Sequence, residues 1–215
     1  MSVTNALAWP GRAGAVEQAD PSILTAVATP DVHLAIWWRS VPRALHWIGS
    51  LDWRMIDDLN FVASIAGIDD EIADGLVEAG YPADAHGAAL GAEIANLPRR
   101  FADIFNLAAV KLRLEVIDTD ACRRFHADMV VARLLTTFSG QGTQWMMADG
   151  DPVAQIRQMK AGDVGIFKGR LSVGEPAILH RSPPIAGKAE PRLLLAINPA
   201  PPIEARTVEE LRHAS

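Results

Sequence analysis

Three metal-ligating side chains and one arginine, in a fixed order, are the residues of this sequence best suited to chemistry. His126 and Asp128 form a His-x-Asp pair, His180 lies 54 residues downstream, and Arg192 lies 12 residues beyond that. Alone, a His-x-Asp pair is more often plain polarity on a half-buried strand, with the Asp orienting the His. Residues i and i+2 of a strand share a face, so the pair can present two ligands together. A second imidazole from a facing strand would complete a His–carboxylate–His set on one side of a metal. Such a set leaves the opposite positions open and is the ligand pattern of non-haem Fe(II) centres. The open positions suit a keto acid and dioxygen. Arg192 then supplies a guanidinium that can hold a carboxylate through two parallel hydrogen bonds, fitting the distal carboxylate of 2-oxoglutarate. Arg133 competes for that role. Its odd separation from Asp128 points it to the other face of a regular strand unless a bulge intervenes.

Several neighbours could join such a site. Cys122 precedes His126 by four residues and would share its face in a helical turn. As a thiolate it would suit zinc; a buried, inert cysteine is the plainer expectation. In "SGQGTQW", Gln141 and Thr143 could contact a ligand from a loop over the site, or the stretch is simply a wide hairpin turn. In "HRSPP", Ser182 shares a face with His180 and could hydrogen-bond near a metal, while Arg181 points away. Lys168 could line the pocket or be solvent-exposed, with exposure the plainer expectation.

These residues must be positioned by β-structure. "VKLRLEVI" alternates Lys111, Arg113 and Glu115 with Leu112, Leu114 and Val116, the period of a half-buried strand. "DTDACRR" offers a cap for a single helical turn. The runs "MVVARLLTTF", "DVGIFKG", "PAILH" and "RLLLAIN" then read as short strands between Gly, Pro and Asp turns. Upstream the pattern is mainly helical. After a short strand near Val32–Trp38, Ser40 and Pro42 could start a helix. "WRMIDDLNFVASIAG" groups its apolar residues as a helix stopped by Gly67. "DDEIADGLVEAGYP" carries acids in its first turn, and "HGAALGAEIANLPRRFADIFNLA" reads as a helix bent or interrupted at Pro98. The expected organisation is a flexible arm over 1–20, a mainly helical portion over 21–109, a β core over 110–198 carrying the metal site, and a tail over 199–215. This makes an α+β chain, with a helical N-terminal half packed on a C-terminal sandwich or barrel.

Composition narrows the function classes. The chain has 215 residues, 49% of them hydrophobic, enough to bury a sizeable core. A formal net charge of -6, with no basic stripe, argues against nucleic acid and anionic membrane as partners. One cysteine allows no internal disulfide. No signal peptide or long apolar span is visible, so a cytoplasmic protein is the expectation. The substrate and the oligomeric state are not readable.

"CRRFHADMVVARLLTTFSGQGTQW", "GDVGIFKG" and "LHRSPP…RLLLAI" resemble the bacterial family called domain of unknown function 1826, over roughly Leu112 to Asn198. The same residues resemble the double-stranded β-helix, a cupin-like jelly-roll, of the Fe(II)/2-oxoglutarate dioxygenases. That resemblance implies Fe(II) held by His126, Asp128 and His180, with 2-oxoglutarate anchored by Arg192. "AGDVGIFKG" resembles the Gly-Asp turn that leads into one of that fold's core strands. Two features depart from the pattern: Leu194 stands where a Ser or Thr often also binds the cosubstrate, and the only tyrosine is Tyr81. The family is also associated with bacterial zinc-homeostasis genes. That implies the alternative of zinc alone in a non-redox, metal-handling protein.

Overall fold

Strands lie in both halves of the described chain, while every helix longer than about one turn lies in the N-terminal half. The computed structural model describes residues 5–7, 14–120, 122–150, 156–184 and 191–200. In chain order the elements are β1 (Asn5–Leu7), β2 (Gly14–Gln18), β3 (Val32–Trp37), β4 (Leu59–Ser64), α1 (Ile68–Glu78), α2 (Ala85–Phe105), β5 (Ala109–Ile117), β6 (Ala132–Ser139), β7 (Gln144–Met147), β8 (Arg157–Gln158), β9 (Val164–Lys168), α3 (Arg170–Val173), β10 (Ile178–Arg181) and β11 (Arg192–Pro199). Three 3₁₀ segments lie upstream of β4, at Pro21–Ala28, Arg43–Ser50 and Trp53–Met55.

Eight strands form one sheet in the order β1-β2-β3-β9-β6-β11-β5-β4, and three form a second in the order β10-β7-β8. The neighbouring strands run antiparallel except β2 and β3. Each face of the large sheet has its own cover. Val110, Leu112, Leu114, Leu134, Leu193, Leu195 and Ile197 join Ile72, Leu90, Ile94 and Phe101 of α1 and α2 in one apolar cluster. Leu34, Leu135, Phe167, Leu194 and Ala196 on the other face pack with Trp145 of β7 and Ile178 of β10. The molecule is thus mixed α and β, dominated by the large sheet.

Three upstream expectations are corrected. The helix expected over Trp53–Gly67 is a 3₁₀ turn followed by β4, which pairs with β5 from Leu59↔Leu114 to Ser64↔Ala109. Leu59, Phe61 and Ala63 bury alternately, and edge pairing with β5 overrides the helical grouping. The helix expected after Ser40 is the 3₁₀ segment Arg43–Ser50, with Pro42 rather than Ser40 at its cap. The expected arm over 1–20 contributes β2, which pairs in parallel with β3. The portion over 21–109 is thus 3₁₀ and α-helix interrupted by β3 and β4. By contrast, α1 begins with Asp69, Asp70 and Glu71 as read, and α2 continues through Pro98 to a left-handed Asn106. The helical expectation for the tail beyond residue 200 lies outside the described residues.

Candidate metal centre

His126 and His180 stand directly opposite one another. Each donates its backbone N–H to the other's carbonyl, at 3.0 and 2.9 Å, in an isolated antiparallel bridge. This exchange is the hydrogen-bonded pair of an antiparallel ladder and sets the two side chains on one side. Asp128 follows in an irregular connection before β6 begins at Ala132. The connection is pinned by its carbonyls, with Asp128, Val130 and Val131 accepting N–H groups of Arg170, Leu171 and Gly169.

The three side chains converge. One ligand atom from each of His126, Asp128 and His180 lies within 4.8 Å of the others. His126 Nε2 is 3.5 Å from Asp128 Oδ1, and His180 Nε2 is 3.1 Å from Oδ2. Bonds of about 2.0–2.2 Å to one ion place adjacent ligand atoms roughly 3 Å apart, so these separations fit a shared cation. Two further observations fit it. Asp128 Oδ2 is buried and has no hydrogen-bond partner, since His180 is close but out of line. His126 Nδ1 lies 2.9 Å from the Arg124 carbonyl, which holds the proton on Nδ1 and frees the Nε2 lone pair.

Electrostatics at the cluster follow the same geometry. Burial would raise the Asp128 carboxyl, but His126, His180 and Arg133 together hold it far below the usual carboxylate range. Burial lowers the His180 imidazole below its ordinary value, against the pull of Asp128. The Asp128 carboxylate raises His126. Phe167 packs on the His180 ring at 4.8 Å between centroids and shields that side from water.

A cavity of about 360 Å³ opens on the cluster, lined by Leu135, Leu194 and Ala196 and by the polar side chains of Arg113, Glu115 and Thr143, among others. Arg192 lies behind Thr143 and Ser182 and is 0% exposed. Its Nη1 donates to Ser182 Oγ at 2.9 Å, and its Nη2 to Thr137 Oγ1 at 3.3 Å and Thr143 Oγ1 at 3.4 Å. Its Nε–H has no partner, and no acidic side chain among the described residues pairs with it. Burial pushes its pKa down to about 10. Gly140, at φ 81°, lets the β6–β7 loop close against Arg192, where a Cβ would meet the side-chain Cγ at 3.0 Å.

Other expectations are corrected here. Arg133 faces Asp128, with Nη1 2.8 Å from Oδ1, because the strand starts after Asp128 and parity does not carry across the irregular connection. No helical turn forms at 118–124 among the described residues; Cys122 is exposed on the cavity rim and its carbonyl accepts the Ser182 N–H. Cys122 therefore shares no helical face with His126 and stands outside the three-residue cluster. Lys168 is buried, with Nζ donating to the Thr29 and Pro30 carbonyls. Arg181 is held by Gln144 and lies over Phe125. The Gly-Asp turn forms at Gly162, and Asp163 accepts backbone N–H groups of Arg39 and Lys160 away from the cluster.

Sequence reasoning missed Thr137, Asn198, Arg113 and Glu115. Thr137 shares a face with Arg133, and Asn198 shares one with Arg192, so strand parity marked both. The charged face of "VKLRLEVI" reads as a solvent face, but Arg113 and Glu115 pair with each other on the cavity wall.

The fold and the cluster define a mixed α and β protein, dominated by its large sheet, with a candidate metal centre in a cavity beside that sheet. The chain belongs to the family described as "Protein of unknown function (DUF1826)", whose model matches residues 18–198. No curated protein matches it. Among solved structures it is similar to a prolyl-4-hydroxylase from Pseudomonas putida, at 11% identity over 84% of this chain and 98% of that chain, with a TM-score of 0.49. It is also similar to a dioxygenase for auxin oxidation from Arabidopsis thaliana in complex with 2-oxoglutarate. That match has 15% identity over 85% of this chain and 73% of that chain, with a TM-score of 0.39. No helix among the described residues is long and apolar enough to cross a membrane.

Proposed function

We propose that this protein is a non-haem Fe(II) oxygenase that uses 2-oxoglutarate, with the two sheets forming a double-stranded β-helix. The observation that carries the reading is a pair of unmet electrostatic needs around one cavity. Asp128 Oδ2 is buried without a hydrogen-bond partner beside two imidazoles, and Arg192 is buried with no acid paired to it among the described residues. A buried carboxylate oxygen without a partner and a buried guanidinium without a counter-charge are both costly unless a ligand meets them. A divalent cation would satisfy the first group and a dicarboxylate the second.

On this reading His126, Asp128 and His180 hold the ion. Fe(II) bound there would let 2-oxoglutarate and dioxygen react, giving succinate and carbon dioxide and transferring one oxygen atom to the substrate. Arg192 anchors the distal carboxylate. Three of the five guanidinium protons go to hydroxyls, and the Nε–H, which has no partner, is left for it. Ser182 and Thr143 line the cavity before Arg192 and supply the hydroxyls that Leu194 does not. Arg133 is the weaker anchor, because Asp128 already neutralises it. Phe167 and the apolar wall of Leu135, Leu194 and Ala196 keep water from the His180 side.

Anaerobic titration with Fe(II) and then 2-oxoglutarate tests this. A visible charge-transfer band and, on admitting oxygen, succinate are the expected results. Absence of both removes the oxygenase. Tight zinc binding with indifference to 2-oxoglutarate would favour the metal-handling alternative, which leaves the unpaired Arg192 unexplained.

A further inference from the structure

The two oxygens of Asp128 are treated differently by the chain. Oδ2 has no hydrogen-bond partner and faces His180. Oδ1 is held by Arg133 Nη1 at 2.8 Å. Arg133 is itself fixed from behind, its Nε donating to Asn198 Oδ1 at 2.8 Å. Asn198 is 7% exposed and lies on β11, one step along from the Ile197↔Leu134 pair that joins β11 to β6. Asn198, Arg133 and Asp128 thus form a chain of contacts ending on one carboxylate oxygen.

A carboxylate can bind a cation through one oxygen or through both. In a six-coordinate site with three protein ligands, one-oxygen binding leaves three positions; two-oxygen binding leaves two. A keto acid that chelates takes two positions and dioxygen takes one. We infer that Arg133 is a positioning residue that occupies Asp128 Oδ1 and limits Asp128 to a single metal bond through Oδ2, keeping the third position open. The inference rests on the metal-centre reading above. The planar guanidinium suits the task because its fork reaches Asn198 and Asp128 at once, which a lysine ammonium cannot do in the same geometry. The arrangement also has a sign. A metal-bound histidine gains basicity by donating a proton to a neighbour. Arg133 does the opposite to Asp128: it withdraws electron density from the ligand and sets a positive charge near the cation. Its presence therefore costs metal affinity and serves the open position.

Mn(II) is the probe, with affinity read from the electron resonance of the free ion and open positions from water-proton relaxation per bound ion. In Arg133→Gln, Mn(II) is expected to bind at least as tightly as in the wild type. Relaxation per bound ion should fall by about a third as one of three water positions is filled. Affinity of the Mn(II) protein for 2-oxoglutarate should fall by about tenfold or more. Arg133→Lys should restore part of the relaxation. Asn198→Ala, which leaves the Arg133–Asp128 pair present but unsupported, should move each quantity in the same direction by less. It also keeps the test readable if Arg133→Gln folds poorly. Parallel loss of Mn(II) and 2-oxoglutarate binding would mean an ordinary structural salt bridge and would overturn the inference, as would unchanged relaxation in every variant. A wild-type protein that binds no Mn(II) sinks the metal-centre reading itself. Wild-type binding with indifferent variants sinks only the clamp.

Discussion

The two faces of the eight-stranded sheet are written in the same strands, one residue apart, and they differ in kind. On β11, Leu193, Leu195 and Ile197 turn to the helices, while Arg192, Leu194, Ala196 and Asn198 turn to the small sheet. On β6, Leu134 and Phe138 face the helices, while Arg133, Leu135 and Thr137 lie on the other side. The helix-covered side is mainly apolar, with Tyr81 Oη and Trp47 Nε1 among its buried polar atoms without partners, and it contributes stability chiefly through area removed from water. The opposite side holds Arg113, Arg133 and Arg192 with Glu115 and Asp128, under a smaller apolar cluster. Packing there is traded for groups whose partners are only partly supplied by the chain, as expected where a structure departs from what stability alone would choose.

The contrast can be broken most severely at its polar centre. Asp128→Ala is expected to reduce Fe(II) or Mn(II) binding below detection by calorimetry while the far-ultraviolet circular dichroism is kept. Retained binding would show that the cluster is not the metal centre. On the other face, Phe101→Ala should cost about 3–5 kcal/mol in urea unfolding, because a fully buried ring leaves a cavity. Metal affinity per folded molecule should not change; if it does, the two faces are coupled and the contrast is false. Arg192→Met separates the two purposes most directly. Removing an unpaired buried charge should leave unfolding free energy unchanged or raise it by about 1 kcal/mol, while 2-oxoglutarate affinity drops by about 2–5 kcal/mol. A destabilised Arg192→Met with unaltered 2-oxoglutarate binding would make Arg192 a structural residue.

The smallest effect concerns His33, buried on β3, whose Nδ1 accepts the Ala177 N–H. Burial, and then Lys168, push its pKa below the ordinary 6.5, against Asp31. The unfolded chain therefore takes up this proton more readily than the folded one. The stabilisation is complete above about pH 6.5 and is lost as pH falls below it. His33→Gln should flatten the decline of the urea midpoint between about pH 6.5 and 5. Part of the slope should remain, because His180 in the metal-free protein shifts the same way. An unchanged slope would place the acid sensitivity elsewhere.

Much of the site was legible because strand parity is a local property. His126, Asp128, His180 and Arg192 could be picked from residue type and order, and Ser182 from sharing a face with His180. Thr143 was marked as one of two candidates in a loop. The alternation in "VKLRLEVI" marked β5. Parity failed where the chain leaves the strand, and so Arg133 was assigned to the wrong side of Asp128. It also says which residues share a face without saying what covers that face, and so Arg113 and Glu115 read as solvent-facing. β4 was misread because Met55, Ile56, Leu59 and Val62 satisfy a helical period while Leu59, Phe61 and Ala63 satisfy a strand period. Pairing with β5, about fifty residues away, made the choice.

By itself the sequence determined which side chains could bind a metal or a carboxylate, the order in which they occur, and the membership of the family. Those depend on residue identity and short-range periodicity. Only the tertiary structure decided that His126 pairs with His180 across 54 residues, that one oxygen of Asp128 is taken by Arg133 while the other has no hydrogen bond, and that Arg192 is buried with no acid beside it among the described residues. Each of those depends on which distant strand lies alongside and which face is shut from water, and no local pattern carries that information.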